Sequence, residues 1–290
     1  MDIWIVFNPV IKLLLYGSVL VATGSLLFAF HFNKYQTIEN KAYCSSLSKN
    51  ASLLGLIISA LFFLSISGNM GGDLGSVFSP LMLGLALDSK SGLAAMLCSA
   101  GFLVLYLQGK IFPSSLKSGS RLLGVFLLLL SFVISGHASK LGTTAQILLI
   151  FHLTGIAFWI GSLLPLRNMC LSSNIKNLHQ VTHQFGKIAM FYVLGLLIAG
   201  ISFAYMLIGD ISLLIETSYG IVLCVKVLIV CTLLFLGALN KFWIVPLIKS
   251  DMERGAIRLK NSVQAEIMLV LLVFLFTSLL TTSLNLPMGG

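Results

Sequence analysis

The chain has 290 residues, of which 58% are hydrophobic and only 9% charged, and its mean hydropathy is +1.02. Soluble domains carry about 25% charged residues, so composition excludes an ordinary soluble protein and leaves a polytopic membrane protein with no separate soluble domain. The net charge of +9 does not point to nucleic acid, because the basic residues fall in the links between apolar segments, as membrane topology requires.

The stretch before the first apolar run carries Asp2 and no Lys or Arg, so no cleavable signal is expected. Eight apolar segments then follow, most of them about 17–25 residues long, the length that crosses a bilayer as a helix. The expected fold is therefore an all-α transmembrane helix bundle of about eight spans. The first covers residues 9–30, with Trp4 and Phe7 as interface anchors and His31 at its end. A polar link holding Lys34, Lys41 and Lys49 leads to the second, residues 51–67. Residues 68–80 are irregular and rich in Gly, with Asp73 inside and Pro80 at the end. The apolar run after them, residues 81–87, is too short to cross and reads as an interfacial or re-entrant piece. Met70, Asp73 and Met82 could line an entrance there, or the stretch is a solvated loop.

The third span is residues 91–108 and the fourth 122–135, which ends in Gly136-His137-Ala138. The fifth, residues 145–166, carries His152 and Trp159. A polar segment with Arg167, His179, His183 and Lys187 precedes the sixth, residues 188–208. An acidic link with Asp210 and Glu216 precedes the seventh, residues 219–243, which contains Lys226. A charged link separates it from the last, residues 263–283, with Glu266 near its start. The chain divides into a three-span segment with an irregular outer loop, residues 1–120, and a five-span segment, residues 121–290. The five cysteines form no CxxC, so no disulfide framework is implied. Cys224 and Cys231 share a helix face as small packing residues.

Fourteen of the eighteen Lys and Arg residues fall in the links after spans one, three, five and seven. By the positive-inside rule those links are cytoplasmic and both termini lie outside. His137 then sits at the outer surface, His152 and Lys226 lie within the outer half, and Glu266 is near the cytoplasmic face. Imidazole is costly in lipid unless it has a partner, so intramembrane polar residues are functional candidates. For His152 the alternative is a hydrogen bond to a neighbouring Ser or Thr, and for His137 the capping of an exposed helix end. Lys226 reads first as structural, paired with Glu216 or Asp210. Glu266 is an exit ligand or proton acceptor, or else an ion-pair partner of Arg258, Lys187 or Lys241. Trp159 and Tyr219 read as packing or interface residues that frame the site. His179 and His183, four apart, have a spacing that can bind metal, but a solvated face is the plainer reading.

From Arg121 onward the sequence resembles the CopD family of copper-resistance membrane proteins. The pieces that carry the resemblance are Gly136-His137-Ala138; His152 with Trp159-Ile-Gly161 and Pro165; Gln184-Phe185-Gly-Lys-Ile-Ala189; Thr217-Ser-Tyr219-Gly220 with Lys226; Asn240 with Pro246; and Glu266 with Thr281-Thr282 and Pro287. Two positions depart from the family pattern: Ser162 stands where a glycine is usual, and Gly186 where a serine is usual. The first 120 residues match only in being hydrophobic.

The resemblance implies copper handling at the bacterial inner membrane, most often uptake from the periplasm, with copper as cargo and a periplasmic CopC-like copper-binding protein as partner. No P-loop is present, and the chain reads as a transporter rather than an enzyme. Copper takes imidazole in either oxidation state, and thioether or thiolate as Cu(I). His137 and His152 are therefore the expected metal ligands, with Met70, Asp73, Trp159, Lys226 and Glu266 as supporting or pathway residues. A b-type haem held between His137 and His152 is one alternative, and a copper-delivery protein that does not transport is another.

Overall fold

The computed structural model of the protein describes residues 3–108, 111, 113, 115–135, 141–172, 177–208 and 212–284. Among them no strand occurs, and eight helices are long and apolar enough to cross a membrane. In chain order the helices are α1 (Trp4–His31), α2 (Ile38–Gly71), α3 (Pro80–Asp88), α4 (Lys90–Leu107), α5 (Lys117–Ile134), α6 (Thr143–Gly161), α7 (Leu163–Leu171), α8 (Leu178–Ile208), α9 (Leu213–Glu216), α10 (Ser218–Leu239), α11 (Val245–Ser250) and α12 (Met252–Thr282). A π turn, Asn240–Ile244, joins α10 to α11.

Three links expected to be loops are largely helical. Residues 38–50 open α2, which spans 34 residues and so reaches about 50 Å, well beyond the ~30 Å hydrocarbon core. The hydroxyl of Thr37 accepts the Asn40 N–H at 3.2 Å, and Glu39 lies in the first turn; both favour a helix start. Asp251 caps α12 in the same way, accepting from the Arg254 N–H at 3.1 Å. His179, His183 and Lys187 likewise belong to the first turns of α8. Polarity in these stretches marks helix that leaves the bilayer, not a break in the helix.

Two spans are interrupted, and proline explains both. Pro165 has no N–H for the carbonyl of Gly161, so α6 ends there and α7 starts beyond Ser162. The Ser162 hydroxyl donates back to the Phe158 carbonyl at 2.5 Å. In the seventh span Pro246 follows the π turn, which closes with Val245 N–H on the Asn240 carbonyl. Widening the turn by one residue is a common way to seat a proline or a functional side chain.

α1 is the central helix and packs against α2, α6 and α12. Its contact with α6 depends on small residues: a Cβ on Gly24 would lie 2.2 Å from the Ala157 carbonyl oxygen and 2.4 Å from the Gly161 Cα. In lipid, where apolar surface gains nothing by leaving its solvent, such close backbone approach supplies the packing energy. Hydroxyls add to it across α2: Ser48 donates to the Ala22 carbonyl at 3.1 Å, and Ser59 meets Ser99 of α4 at 2.8 Å. The short α3 packs on α2 and α4. It is nine residues long, too short to span, as the sequence indicated.

On the other side α6 packs on α8, and α10 on α12. The chain from α10 approaches α8 through the π turn and α11. Cys224 and Cys231 are exposed on α10, so they face outward rather than filling the core.

Candidate functional site

His152 lies nine residues into α6, about 14 Å along it. Its Nδ1 is 3.2 Å from the Leu196 carbonyl oxygen of α8. A carbonyl only accepts, so Nδ1 carries the proton and Nε2 is left with its lone pair. Among the described residues Nε2 has no hydrogen-bond partner. The ring fits because residue 200 of α8 is glycine: a Cβ there would lie 2.9 Å from His152 Cε1 and 3.1 Å from Nδ1. This arrangement, one ring nitrogen tied to a backbone carbonyl and the other free, is the one that metal-ligating histidines adopt. The alternative reading, a bond to a neighbouring Ser or Thr, is not what is found: the bond is made to the backbone of the next span.

Lys226 of α10 is the charged neighbour of His152. It has no hydrogen-bond or ion-pair partner among the described residues, and Glu216 does not pair with it. Trp159 lies seven residues after His152, two turns along the same face of α6, about 10 Å deeper. It is buried, with 6% of its surface exposed, and a Cβ on Gly237 of α10 would lie 3.7 Å from its ring. Lys226 and Gly237 share one stripe of α10, three turns apart. The two stripes therefore face each other as a side-chain seam between α6 and α10, while the helices themselves pack elsewhere, α6 on α8 and α1, and α10 on α12.

The seam leads to a cavity of about 230 Å³, walled by Trp159, Phe185, Val193 and Leu234 among others. Glu266 of α12 reaches it although only 2% of its surface is exposed. Its Oε1 accepts a hydrogen bond of 2.5 Å from Asn240 Nδ2, on the π turn. Neither Arg258, Lys187 nor Lys241 pairs with it. Asn240 Oδ1 is buried and has no hydrogen-bond partner among the described residues. The Lys241 ammonium contacts the Met190 sulfur, and its stem runs past Gly186.

Met70 and Asp73 are not drawn into this region. Met70 is 46% exposed at the end of α2, and the Asp73 carboxylate accepts the Ser76 N–H at 2.7 Å, fastening the turn before α3. His137 lies outside the described residues. Among the described residues no three His, Cys, Asp or Glu side chains gather to hold a metal. The His179 and His183 rings stack 5.9 Å apart on α8, a pair without a third ligand. His31 meets the Tyr192 hydroxyl at 3.1 Å, and Tyr192 stacks on Phe158 at 4.2 Å.

Sequence reasoning missed Asn240's partnership with Glu266 and the contact of Lys241 with Met190. It also missed Lys12, whose ammonium donates to the Thr281 carbonyl at 3.0 Å within the bundle. Tyr16 meets the Thr281 hydroxyl beside it at 3.1 Å. A lysine in the apolar run of span one was a visible signal.

These features define a class: a multi-pass, all-α membrane protein with polar side chains placed at two depths along one helix seam. The profile of "Copper resistance protein D-like, N-terminal domain" matches residues 1–147, and that of "Copper resistance protein D" matches residues 179–280. The chain belongs to the copper resistance protein D family. The match to residues 1–147 corrects the reading of the first 120 residues as family-like in hydrophobicity alone. No curated protein and no solved structure matches the chain.

Proposed function

We propose that this protein carries copper across the bacterial inner membrane, from the periplasm to the cytoplasm. Family membership supports copper as the cargo. The observation that carries the reading is the state of His152: its Nδ1 proton is tied to the Leu196 carbonyl, and its Nε2 lone pair is free beside the seam. That nitrogen is the donor for copper in the outer half, and His137 supplies a second imidazole from the outer surface. Imidazole suits both oxidation states of copper.

From His152 the ion passes Trp159 and reaches the cavity at Glu266 and Asn240. Lys226 beside the imidazole opposes long residence there, which a conducting site needs: binding strong enough to admit the ion and weak enough to release it. The protein performs no covalent step. A periplasmic CopC-like protein delivers the ion at the outer face.

Cellular copper, measured with and without expression of the chain, tests the reading. Expression raises copper content, and His152→Ala abolishes the rise at equal protein level. Unchanged accumulation in His152→Ala, or no rise with the parent, refutes it.

A further inference from the structure

Glu266 has three candidate roles: ion-pair partner, metal ligand and proton acceptor. No cation pairs with its carboxyl among the described residues, because the charged groups of the helices around it are engaged elsewhere. Arg167 of α7 donates from Nε to Gln264 Oε1 at 2.8 Å. The Lys241 ammonium lies on the Met190 sulfur and 5.4 Å from the centre of the Phe242 ring. On α1, Lys12 donates to the Thr281 carbonyl and His31 meets the Tyr192 hydroxyl. Lys226 of α10 stands beside His152, and Lys187 of α8 and Lys249 of α11 are exposed. A ligand set is missing as well: no three His, Cys, Asp or Glu side chains gather to hold a metal among the described residues.

The third role has two observations behind it. Glu266 is 2% exposed, and the cavity it reaches is walled by apolar and aromatic side chains such as Trp159, Phe185, Val193 and Leu234. An ionised carboxyl without a cation is strongly unfavourable there. The second observation is the amide beside it. Asn240 donates from Nδ2 to Glu266 Oε1 at 2.5 Å, while its Oδ1 is buried with no hydrogen-bond partner among the described residues. An amide carries its donor and its acceptor side by side, as a carboxyl carries its two oxygens. A carboxylate only accepts and leaves Oδ1 unsatisfied, whereas a carboxylic acid has an O–H to donate. A single proton on Glu266 therefore removes both costs, the uncompensated charge and the unpaired acceptor.

We infer that Glu266 and Asn240 form a proton-binding acid–amide pair in the inner half of the bundle, in which Glu266 Oε2 carries the proton and donates it to Asn240 Oδ1. The pair ties the π turn to α12. Its consequence for the cargo rests on the copper-transport reading and deepens it. While the proton is bound, the cavity holds no net negative charge that would trap the ion, and release to the cytoplasm stays easy. When the O–H bond breaks, its electron pair stays on the carboxylate and the proton goes to a base of the cytoplasmic buffer. The bare carboxylate then retains the cation. Intramembrane Asp and Glu residues serve as proton sites in other transporters too.

The first test needs no copper. Infrared spectra of the full chain in lipid nanodiscs are recorded across pH, with the parent and Glu266→Gln side by side. The parent should show the C=O band of a protonated carboxyl at neutral pH, absent from Glu266→Gln and lost from the parent at alkaline pH. Asn240→Leu should shift that band to higher frequency, since the bonds to the amide are gone, and Lys241→Gln should leave it in place. No such band at neutral pH, a band seen only in Lys241→Gln, or a band that Asn240→Leu does not move overturns the inference. The second test is copper uptake by the parent in proteoliposomes as the cytoplasmic-side pH rises. Uptake should fall over the same range in which the band disappears, and uptake indifferent to that loss overturns the role given to the proton. Copper uptake by a parent without the band sinks the proton site alone. The expected band in a chain that moves no copper sinks the transport reading alone.

Discussion

Replacing Gly200 with alanine shifts the His152 imidazole without removing it. The new Cβ would stand 2.9 Å from Cε1 and 3.1 Å from Nδ1. Ordinary contact begins at 3.4 Å, so the ring must retreat by about half an ångström. It is held by one hydrogen bond of 3.2 Å to Leu196, and a retreat of that size takes the bond beyond useful length. The cost is that of one membrane-interior hydrogen bond, about 0.6–1.7 kcal/mol. Freed from the carbonyl, the imidazole also loses the contact that keeps the proton on Nδ1. Unfolding in mixed micelles measures the first effect, and copper retention at His152 the second. Gly200→Ala should destabilise the parent by about 1 kcal/mol and lower copper retention. In a His152→Ala background the same substitution should cost nearly nothing, because the crowded ring is gone. Costs that simply add between the two backgrounds refute the reasoning, since residues in contact must couple.

Other consequences follow from the same geometry. Removing the charge at Lys226 with Lys226→Met should strengthen copper binding at His152 roughly five-fold, or about 1 kcal/mol, as read by equilibrium competition; weaker binding would mean that the lysine supports the site. Asn240→Leu leaves the Glu266 carboxyl without its donor, while Glu266→Leu leaves the amide without its acceptor. Each should destabilise by about 1–3 kcal/mol, and the double variant should recover part of the loss; strict additivity in a double-mutant cycle would contradict the pairing. Gly161→Val forces side-chain atoms into the backbone contact between α1 and α6. It should cost about 1–3 kcal/mol or more, measured by the same unfolding assay, whereas Gly195→Ala, where a Cβ meets nothing within 4 Å, should not destabilise.

Sequence and structure agree where hydrophobicity alone decides. Runs of about 20 apolar residues must be helices in lipid, because no other local structure satisfies the backbone there. That argument locates all eight spans. It fails at the helix ends, where residues 38–50 and 178–187 carry polar side chains yet continue as helix outside the bilayer. Pro165 and Pro246 were visible, but proline alone does not reveal whether a helix kinks, stops or widens. At Pro246 it widens, and the π turn sets Asn240 against Glu266, 26 positions away.

His152 could be picked out as an isolated imidazole in an apolar run. Its tautomer could not, because that depends on Leu196 and Gly200 of another span. Asp73 shows the reverse case. An aspartate in a Gly-rich outer stretch suggests a ligand, but its carboxylate holds the Ser76 amide and shapes a turn. Lys12 was visible as a lysine in an apolar run, but a lysine near the end of a span ordinarily reaches the surface, so its partner, the Thr281 carbonyl of another span, was not.

Copper movement into proteoliposomes that contain only this chain tests the central claim most directly, with the parent and His152→Ala compared at equal reconstitution. Time-resolved entry of copper with the parent, lost in His152→Ala while the variant remains folded, is the predicted result. Entry at the same rate in both, or no entry with the parent, would contradict the account.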